Sequence, residues 1–546
     1  MSNPSTQTPL QVFYRRERET PGKVFLRQPK ALQWSEYSWA QVGDRVRCVA
    51  AFLRAKGHPA GSRIAIWSAN SMDWVVADFA IMMAGHVSVP LYAGQDVESA
   101  RYILAHSESK LIFLGAFDNA AHVDEAVGAG VVRVGLLGWA GASDVTLADI
   151  IAREQPIADS PLPDPDSIWS IVYTSGTTGN PKGVMHAHAT PGRVLPELTA
   201  ALKQKNDGTA SYFSFLPLSH IAERVVVEMA ALYLNATISF SEGLATFGEE
   251  LRSVQPTFFF AVPRLWIKFK EGVDAKIPPA AQRGLSAEQK AGIKHNLGLS
   301  NASFILTGSA PCPRDVQQWF IDMGIWLRDG YGMTENCIHG CAWMADGPPV
   351  PGCVGKGISA SVKVRLGDDN EVQFSSPALM KGYYKEPEKS AEVLVDGWYH
   401  TGDTGRFDAQ GNLWLTGRLS EVFKTSKGKF VKPGTLEDRL GACSLLAQYC
   451  VFGHGLDQPV ALVSLSETGR KLDRAEARQQ LTAFIEALNA ELPPYERLSQ
   501  IFVTRDEWAT AAGLLTPTLK LKRKSVESRY RPWVDSELGR VPVVFE

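Results

Sequence analysis

Through much of the first part of the chain, short apolar runs alternate with segments of helical length. Arg63 to Trp67, Val87 to Leu91 and Leu111 to Leu114 are strand candidates, and Asp73 to Ala84 and Ala100 to His106 between them read as helices. Phe258 to Val262 and Ser303 to Thr307 repeat the theme, each a buried strand running into a Gly or Pro turn. Such alternation argues for parallel sheets covered by helices, so the expected class is α/β.

The pattern changes near Arg418. Gly411 to Gly417 reads as a turn and a short strand, and the chain is then polar and Lys-rich through Pro433. The final segment has its own strands, Gln448 to Phe452 and Ala461 to Leu465. It also has an amphipathic helix with Leu481, Phe484, Ile485, Leu488 and Leu492 on one face. The Pro- and Asp-rich stretch Ile157 to Asp166 resembles a linker, but a motif-bearing strand follows at once, so it need not mark a boundary.

Composition narrows the class. The 546 residues are 45% hydrophobic and 21% charged, ordinary for a soluble globular protein. Lys+Arg number 56 and Asp+Glu 58, for a net charge of −2, which gives no overall field for nucleic acid or an acidic membrane surface. No apolar run approaches the ~20 residues that span a bilayer. The start is polar and then charged, unlike a secretory signal. The seven cysteines are odd in number and scattered, which is no disulfide framework. The expectation is a cytoplasmic enzyme that meets the inner face of a membrane only peripherally.

The most informative segment runs from Tyr173 through Thr174, Ser175, Gly176, Thr177, Thr178, Gly179, Asn180, Pro181 and Lys182 to Gly183, directly after the apolar strand Ile168 to Val172. Its glycines let the backbone approach a ligand closely, its hydroxyls add donors, and Lys182 adds positive charge. Together these suit phosphate oxygens. The Walker pattern needs Gly before Lys, and here Pro181 precedes it, so a P-loop NTPase is excluded.

This loop resembles the phosphate-binding signature of the adenylate-forming (AMP-binding) superfamily, and further signatures follow in that family's order. They are Leu216-Pro217-Leu218-Ser219-His220, Gly330-Tyr331-Gly332-Met333-Thr334-Glu335, Gly397 to Asp403 (GWYHTGD), Gly417-Arg418, and Thr516 to Lys520 (TPTLK). The form of LPLSHIAER, VPRLWIKF and FKTSKGK is most similar to bacterial long-chain fatty acyl-CoA synthetases. The resemblance implies a large N-terminal domain of helix-covered mixed or parallel sheets over 1–417, a hinge at 418–420 centred on Ser420, and a small mobile α+β domain over 421–546. It implies attack of a carboxylate on the α-phosphate of ATP, release of pyrophosphate, and transfer of the acyl group to CoA.

The resemblance also distributes roles. Thr174, Ser175, Gly176, Thr177, Thr178, Gly179 and Lys182 would hold the β- and γ-phosphates, with Glu335 on Mg²⁺ and Thr334 on the α-phosphate. Ser309, Ala310, Pro311, Asp329, Gly330, Tyr331 and Gly332 would line the nucleotide site, the Tyr331 ring against adenine. Asp403 and Arg418 would take the ribose, and His220 would lie near the substrate carboxylate. Lys520 would be the catalytic lysine brought in by the small domain. Lys427, Gly428 and Lys429 would face CoA after domain rotation. Taken singly, Glu335 also suits a helix N-terminus, Asp403 a turn, and Tyr331 a core position.

Two positions depart from the family pattern: Leu519 where Gly usually precedes the lysine, and Ser420 where Asp or Lys is usual. Lys522 and Lys524 read as a solvated basic face. Cys337, His339, Cys341 and Cys353 lie close together but lack a C-x-x-C pair, and zinc is not expected. The expected partners are a small carboxylic acid, ATP and CoA, with no nucleic acid, in a monomer or homodimer. The alternatives are an aromatic-acid CoA ligase, an acyl-AMP ligase that loads a carrier protein, and an inactive nucleotide- or acyl-binding protein.

Overall fold

Strands and helices alternate to build an eight-stranded sheet, seen in a computed structural model that describes residues 7–117, 120–174, 180–204, 207–510, 512–516 and 520–546. Across it lie Gly382–Tyr383, Lys182–Ala187, Ile168–Thr174, Val87–Leu91, Arg63–Trp67, Leu111–Leu114, Val132–Gly135 and Val145–Thr146. From Ile168–Thr174 onward the neighbours are parallel. Lys182–Ala187 runs antiparallel to Ile168–Thr174, so the sheet is mixed. Helix Met72–Met83 has no polar face, apart from Asp73 and Asp78, and is buried almost throughout, packed on helix Trp39–Ala55.

A second sheet holds Ser211–Ser214, Thr237–Phe240, Val24–Lys30 and Gln33–Ser38. A third begins with three parallel strands, Phe258–Ala261, Phe304–Thr307 and Leu327–Tyr331. A fourth is built on Lys363–Leu366, Glu371–Ser375 and Trp398–Phe407, and Leu413–Arg418 pairs with the last of these. The stretch around residues 157–166 is a strap on this part of the molecule. Arg47 donates to the carbonyls of Ile157 and Asp159, and Tyr14 Oη donates to that of Pro161 at 3.0 Å.

After Arg418 the chain makes one short 3-10 turn, Leu419–Glu421, with Leu419 and Ser420 exposed. A hairpin of Phe423–Lys424 and Phe430–Val431 follows, then a sheet of Leu446–Phe452, Val460–Leu465, Ile501–Thr504 and Val543–Phe545. Alternate residues of that sheet face two different apolar clusters, as a two-residue period requires. Val451, Ala461, Val463 and Ile501 pack with Leu481, Ile485 and Leu488 of helix Arg474–Ala490. Cys450, Phe452, Leu462 and Phe502 pack with Val526 and Val534 of helix Arg523–Glu537. Leu492, expected on the first helix, lies beyond its end yet stays in the same cluster.

No apolar cluster among the described residues spans the Leu419–Glu421 turn. Two ion pairs cross between the parts: Arg314 to Asp438 at 2.7 Å and Arg264 to Glu507 at 2.9 Å. Among the described residues no helix is long and apolar enough to cross a membrane.

Candidate active site

The carboxyl ends of Phe304–Thr307 and Leu327–Tyr331 lie side by side, the usual place for a ligand in an open α/β sheet. They bring Ser309 to Pro311 beside Gly330 to Gly332. Glycine is required twice here. A Cβ on Gly308 would lie 2.8 Å from the Gly330 carbonyl oxygen, and one on Gly332 would lie 2.9 Å from that of Ile338. Asp329, buried on the same strand, has its carboxyl pushed up to about 7 by burial.

Beyond the strand end, Tyr331 Oη donates to Asp403 Oδ2 at 2.7 Å, and Arg418 Nε meets Asp403 Oδ1 at 2.8 Å. Both oxygens of Asp403 are thereby aimed. The Tyr331 ring is backed by Phe374, with centroids 5.4 Å apart.

Glu335 sits in the short turn Thr334–Asn336, which is pinned from two sides. His186 Nε2 donates to the Thr334 carbonyl at 2.7 Å, and the Met380 amide donates to the Glu335 carbonyl at 2.7 Å. Burial lowers His186 to about 4, so its ring is neutral and this nitrogen carries a proton. The Glu335 carboxylate accepts from Tyr383 Oη at 2.9 Å. Lys182 Nζ lies 4.9 Å from the centre of the same Tyr383 ring, so one tyrosine touches both the lysine and the acid. Thr174 ends its strand directly opposite Lys182. Ser175, Gly176, Thr177, Thr178 and Gly179 lie outside the described residues.

His220 follows a loop held by one asparagine. Asn70 Nδ2 donates to the Leu216 carbonyl at 2.6 Å, while its Oδ1 accepts from the Leu218 amide at 2.9 Å. Asn70 also donates to Ser214 Oγ, which donates in turn to Glu223 Oε1 at 2.8 Å. The Phe215 amide donates to the same oxygen at 3.1 Å. Glu223 is buried, and burial pushes its carboxyl up to about 8. His220 Nδ1 accepts from the Ala222 amide at 3.1 Å. Burial, and secondly the charge of Lys520, lower its pKa to about 3, so the imidazole is neutral.

Lys520 comes from beyond the connection. Its backbone is clasped by Thr516: the Thr516 amide donates to the Lys520 carbonyl, and the Lys520 amide donates to Thr516 Oγ1. Pro517, Thr518 and Leu519 lie outside the described residues. Surrounding protein and then Arg418 lower its pKa, while Asp403 and Glu335 raise it. The side chain stays open to solvent, so it occupies a wet cleft and not a dry core. The charged groups that act on Lys520 are thus among the ones gathered above, all from the far side of the connection.

Three neighbours differ from these. Arg523, beside Lys520 in sequence, is not part of a solvated face. It bonds Glu437 at 2.8 Å and reaches Glu421 of the connecting turn at 3.3 Å. The tip Lys427-Gly428-Lys429 is exposed, with Lys427 on Asp457 at 3.3 Å, and is not among the charges acting on Lys520. His339 spends both ring nitrogens on serines, Ser376 at 2.8 Å and Ser359 at 2.9 Å, and burial pushes the nearby Cys337 thiol up to about 12.

The family described as AMP-binding enzyme matches residues 13–384, and its C-terminal domain family matches residues 421–538. This chain is a member of the AMP-binding enzyme family. A long-chain-fatty-acid–CoA ligase of Mycobacterium bovis, FadD15, is 26% identical over 95% of this chain and 95% of its own. Long chain acyl-CoA synthetase 2 of Arabidopsis thaliana is 25% identical over 97% and 92%. Among solved structures, the anthranilate CoA ligase AuaEII in complex with anthranoyl-AMP is 20% identical. It matches with a TM-score of 0.78 over 98% of this chain and 99% of that one. The adenylation domain of a carboxylate reductase from Mycobacterium chelonae is 24% identical, with a TM-score of 0.79 over 98% and 91%. These structural likenesses establish the shared fold.

For this AMP-binding enzyme, reading the sequence missed Tyr383, His186, Asn70 and Glu223. Two carried a visible signal: Glu223 stands inside LPLSHIAER, though no role was attached to it, and Tyr383 stands in the run Lys381-Gly382-Tyr383-Tyr384 between two recognised motifs.

Proposed function

We propose that this enzyme is an acid–thiol ligase that activates a fatty acid as acyl-AMP and passes it to CoA. The observation that carries the reading is the convergence of Lys520 with Glu335, Asp403, Arg418 and His220 across the connection. A protein that only bound a nucleotide would have no use for a lysine delivered from a separate lobe.

In-line attack on the α-phosphate crowds negative charge, so cations and donors must be placed beforehand. Lys520 and Lys182 supply positive charge. Asp403, with both oxygens aimed, is suited to accept from ribose hydroxyls in exchange for its present partners. The neutral His220 takes a hydrogen bond on Nδ1, which leaves Nε2–H to donate towards the substrate carboxylate. Glu335 fits a hard cation such as Mg²⁺, because its carboxylate offers oxygen ligands and is oriented by Tyr383. Mg²⁺, when bound, would neutralise phosphate charge. Thr334, fixed through His186, would donate to the α-phosphate.

Departure of pyrophosphate removes the anion opposite Lys520. We assign Ser420 as the hinge about which the small lobe then turns, bringing Lys427, Gly428 and Lys429 to CoA. A fatty acid is favoured by the full-length relatives named for long-chain acids.

The test is AMP release across acids from acetate through benzoate to C18, with and without CoA. AMP that rises only with CoA and a longer chain supports the reading. Turnover with benzoate alone, or only with a phosphopantetheinylated carrier protein, would replace it.

A further inference from the structure

Glu371 lies outside every motif above, yet it holds the strand that presents Asp403. Strand Glu371–Ser375 pairs with Trp398–Phe407 in an interrupted register: Glu371 faces Thr404, but Gln373 faces His400. One residue, Val372, therefore stands opposite three, Thr401, Gly402 and Asp403. A bulge of this kind lifts residues out of the ladder and leaves their backbone groups without strand partners.

Three of the freed groups find side-chain partners. Thr401 Oγ1 donates to the Val372 carbonyl at 2.6 Å and accepts from the Asp403 amide at 3.0 Å. Gly402, at a φ of +70°, turns its amide away from the ladder, and that amide donates to Glu371 Oε1 at 2.9 Å. The carboxylate thus stands in for the missing strand carbonyl.

Its second oxygen is also occupied. Oε2 lies 2.8 Å from His400 Nδ1 and 3.1 Å from Gln373 Nε2. Arg365 holds Gln373 from behind, with Nε on Oε1 at 2.8 Å. The Glu371 side chain is only 12% exposed. Glu371 touches neither Tyr331 nor Arg418. Its side chain reaches the bulge at the Gly402 amide and, just before it, at His400.

We propose that Glu371 is a positioning residue for the nucleotide: its carboxylate fixes the Thr401-Gly402-Asp403 bulge so that Asp403 faces the ribose. The inference rests on the reading of Asp403 given above. Glu371→Ala frees the Gly402 amide and lets Asp403 swing with it. Losing one charge-assisted hydrogen bond to a positioned backbone amide is expected to raise KM for ATP roughly tenfold or more. KM for the acid and for CoA should stay within about twofold, because neither site depends on this bulge. Glu371→Gln keeps an oxygen for Gly402 and should recover most of the loss.

The experiment measures KM for each substrate and AMP affinity by calorimetry, with thermal unfolding alongside, for the parent and both variants. Selective weakening of ATP and AMP, rescued by Glu371→Gln, supports the proposal. Unchanged nucleotide affinity in a folded Glu371→Ala, or an equal loss for all three substrates, would overturn it. If Glu371→Ala does not fold, Glu371→Gln carries the test, and a loss of more than about twofold that is equal for ATP, acid and CoA would overturn it. AMP affinity needs no turnover, so a parent that binds AMP but activates no acid refutes the proposed reaction and leaves this test intact.

Discussion

Glu223 makes stability depend on pH in a direction that can be calculated. Its carboxyl titrates at about 8 in the folded chain against the ordinary 4.5, because burial disfavours the charged form. Between those values the folded chain keeps a proton that the unfolded chain has released. Stability is therefore full below the unfolded value, falls as pH rises, and reaches its floor above the folded one. The shift of 8 − 4.5 = 3.5 units corresponds to roughly 5 kcal/mol at about 1.4 kcal/mol per unit. Of this, roughly 4 kcal/mol is lost between about pH 5 and about pH 9. Glu223→Gln keeps an oxygen for Ser214 and Phe215 but cannot ionise, so it should remove that loss. Urea unfolding of parent and variant across the range measures it. The variant should gain on the parent steadily as pH rises, while acid activation near neutrality stays unchanged. Parallel curves for the two proteins would refute the buried, protonated carboxyl.

Four further outcomes are expected. Lys520→Ala should cut acyl-AMP formation by about two to three orders of magnitude, yet leave thioester formation from supplied acyl-AMP largely intact. Equal loss in both half-reactions would contradict its role. Tyr383→Phe should weaken the apparent Mg²⁺ affinity about tenfold in ATP–pyrophosphate exchange, since a hydrogen bond to a carboxylate is worth about 1.5 kcal/mol. Glu335→Ala should do so more severely without lowering the unfolding temperature. Asn70→Ala should raise KM for the acid and spare KM for ATP, because Asn70 anchors the loop before His220 and touches nothing on the nucleotide side.

Much of this site is written in local sequence. The apolar run Asp73 to Ala84 reads directly as a helix, and the ordered motifs around Lys182, Tyr331 and Asp403 announce the nucleotide site. Hydrogen bonds between distant residues leave no such trace. Asn70 reaches Leu216 across 146 positions, and His186 reaches Thr334 across 148. Either residue, read alone, is an ordinary polar position in an apolar neighbourhood. Periodicity does not encode strand direction, so the antiparallel run of Lys182–Ala187 is foreseen only by the mixed sheet that the family resemblance allows. Glu371 hid for another reason: its work is done on a backbone amide, which has no identity in a sequence.

The contact between the two lobes has a consequence for how the cycle is timed. Arg314–Asp438 and Arg264–Glu507 lie largely in solvent, where such pairs contribute about 0.2–1 kcal/mol each and fade with salt. On their own, two such pairs would favour one orientation only several-fold. The larger bias must come from the substrate itself, whose anion rewards Lys520 while it is present and stops doing so when it leaves. On the proposed rotation, the small lobe would act less like a latched door than like a weathervane, its bearing set at each moment by the charge held in the cleft.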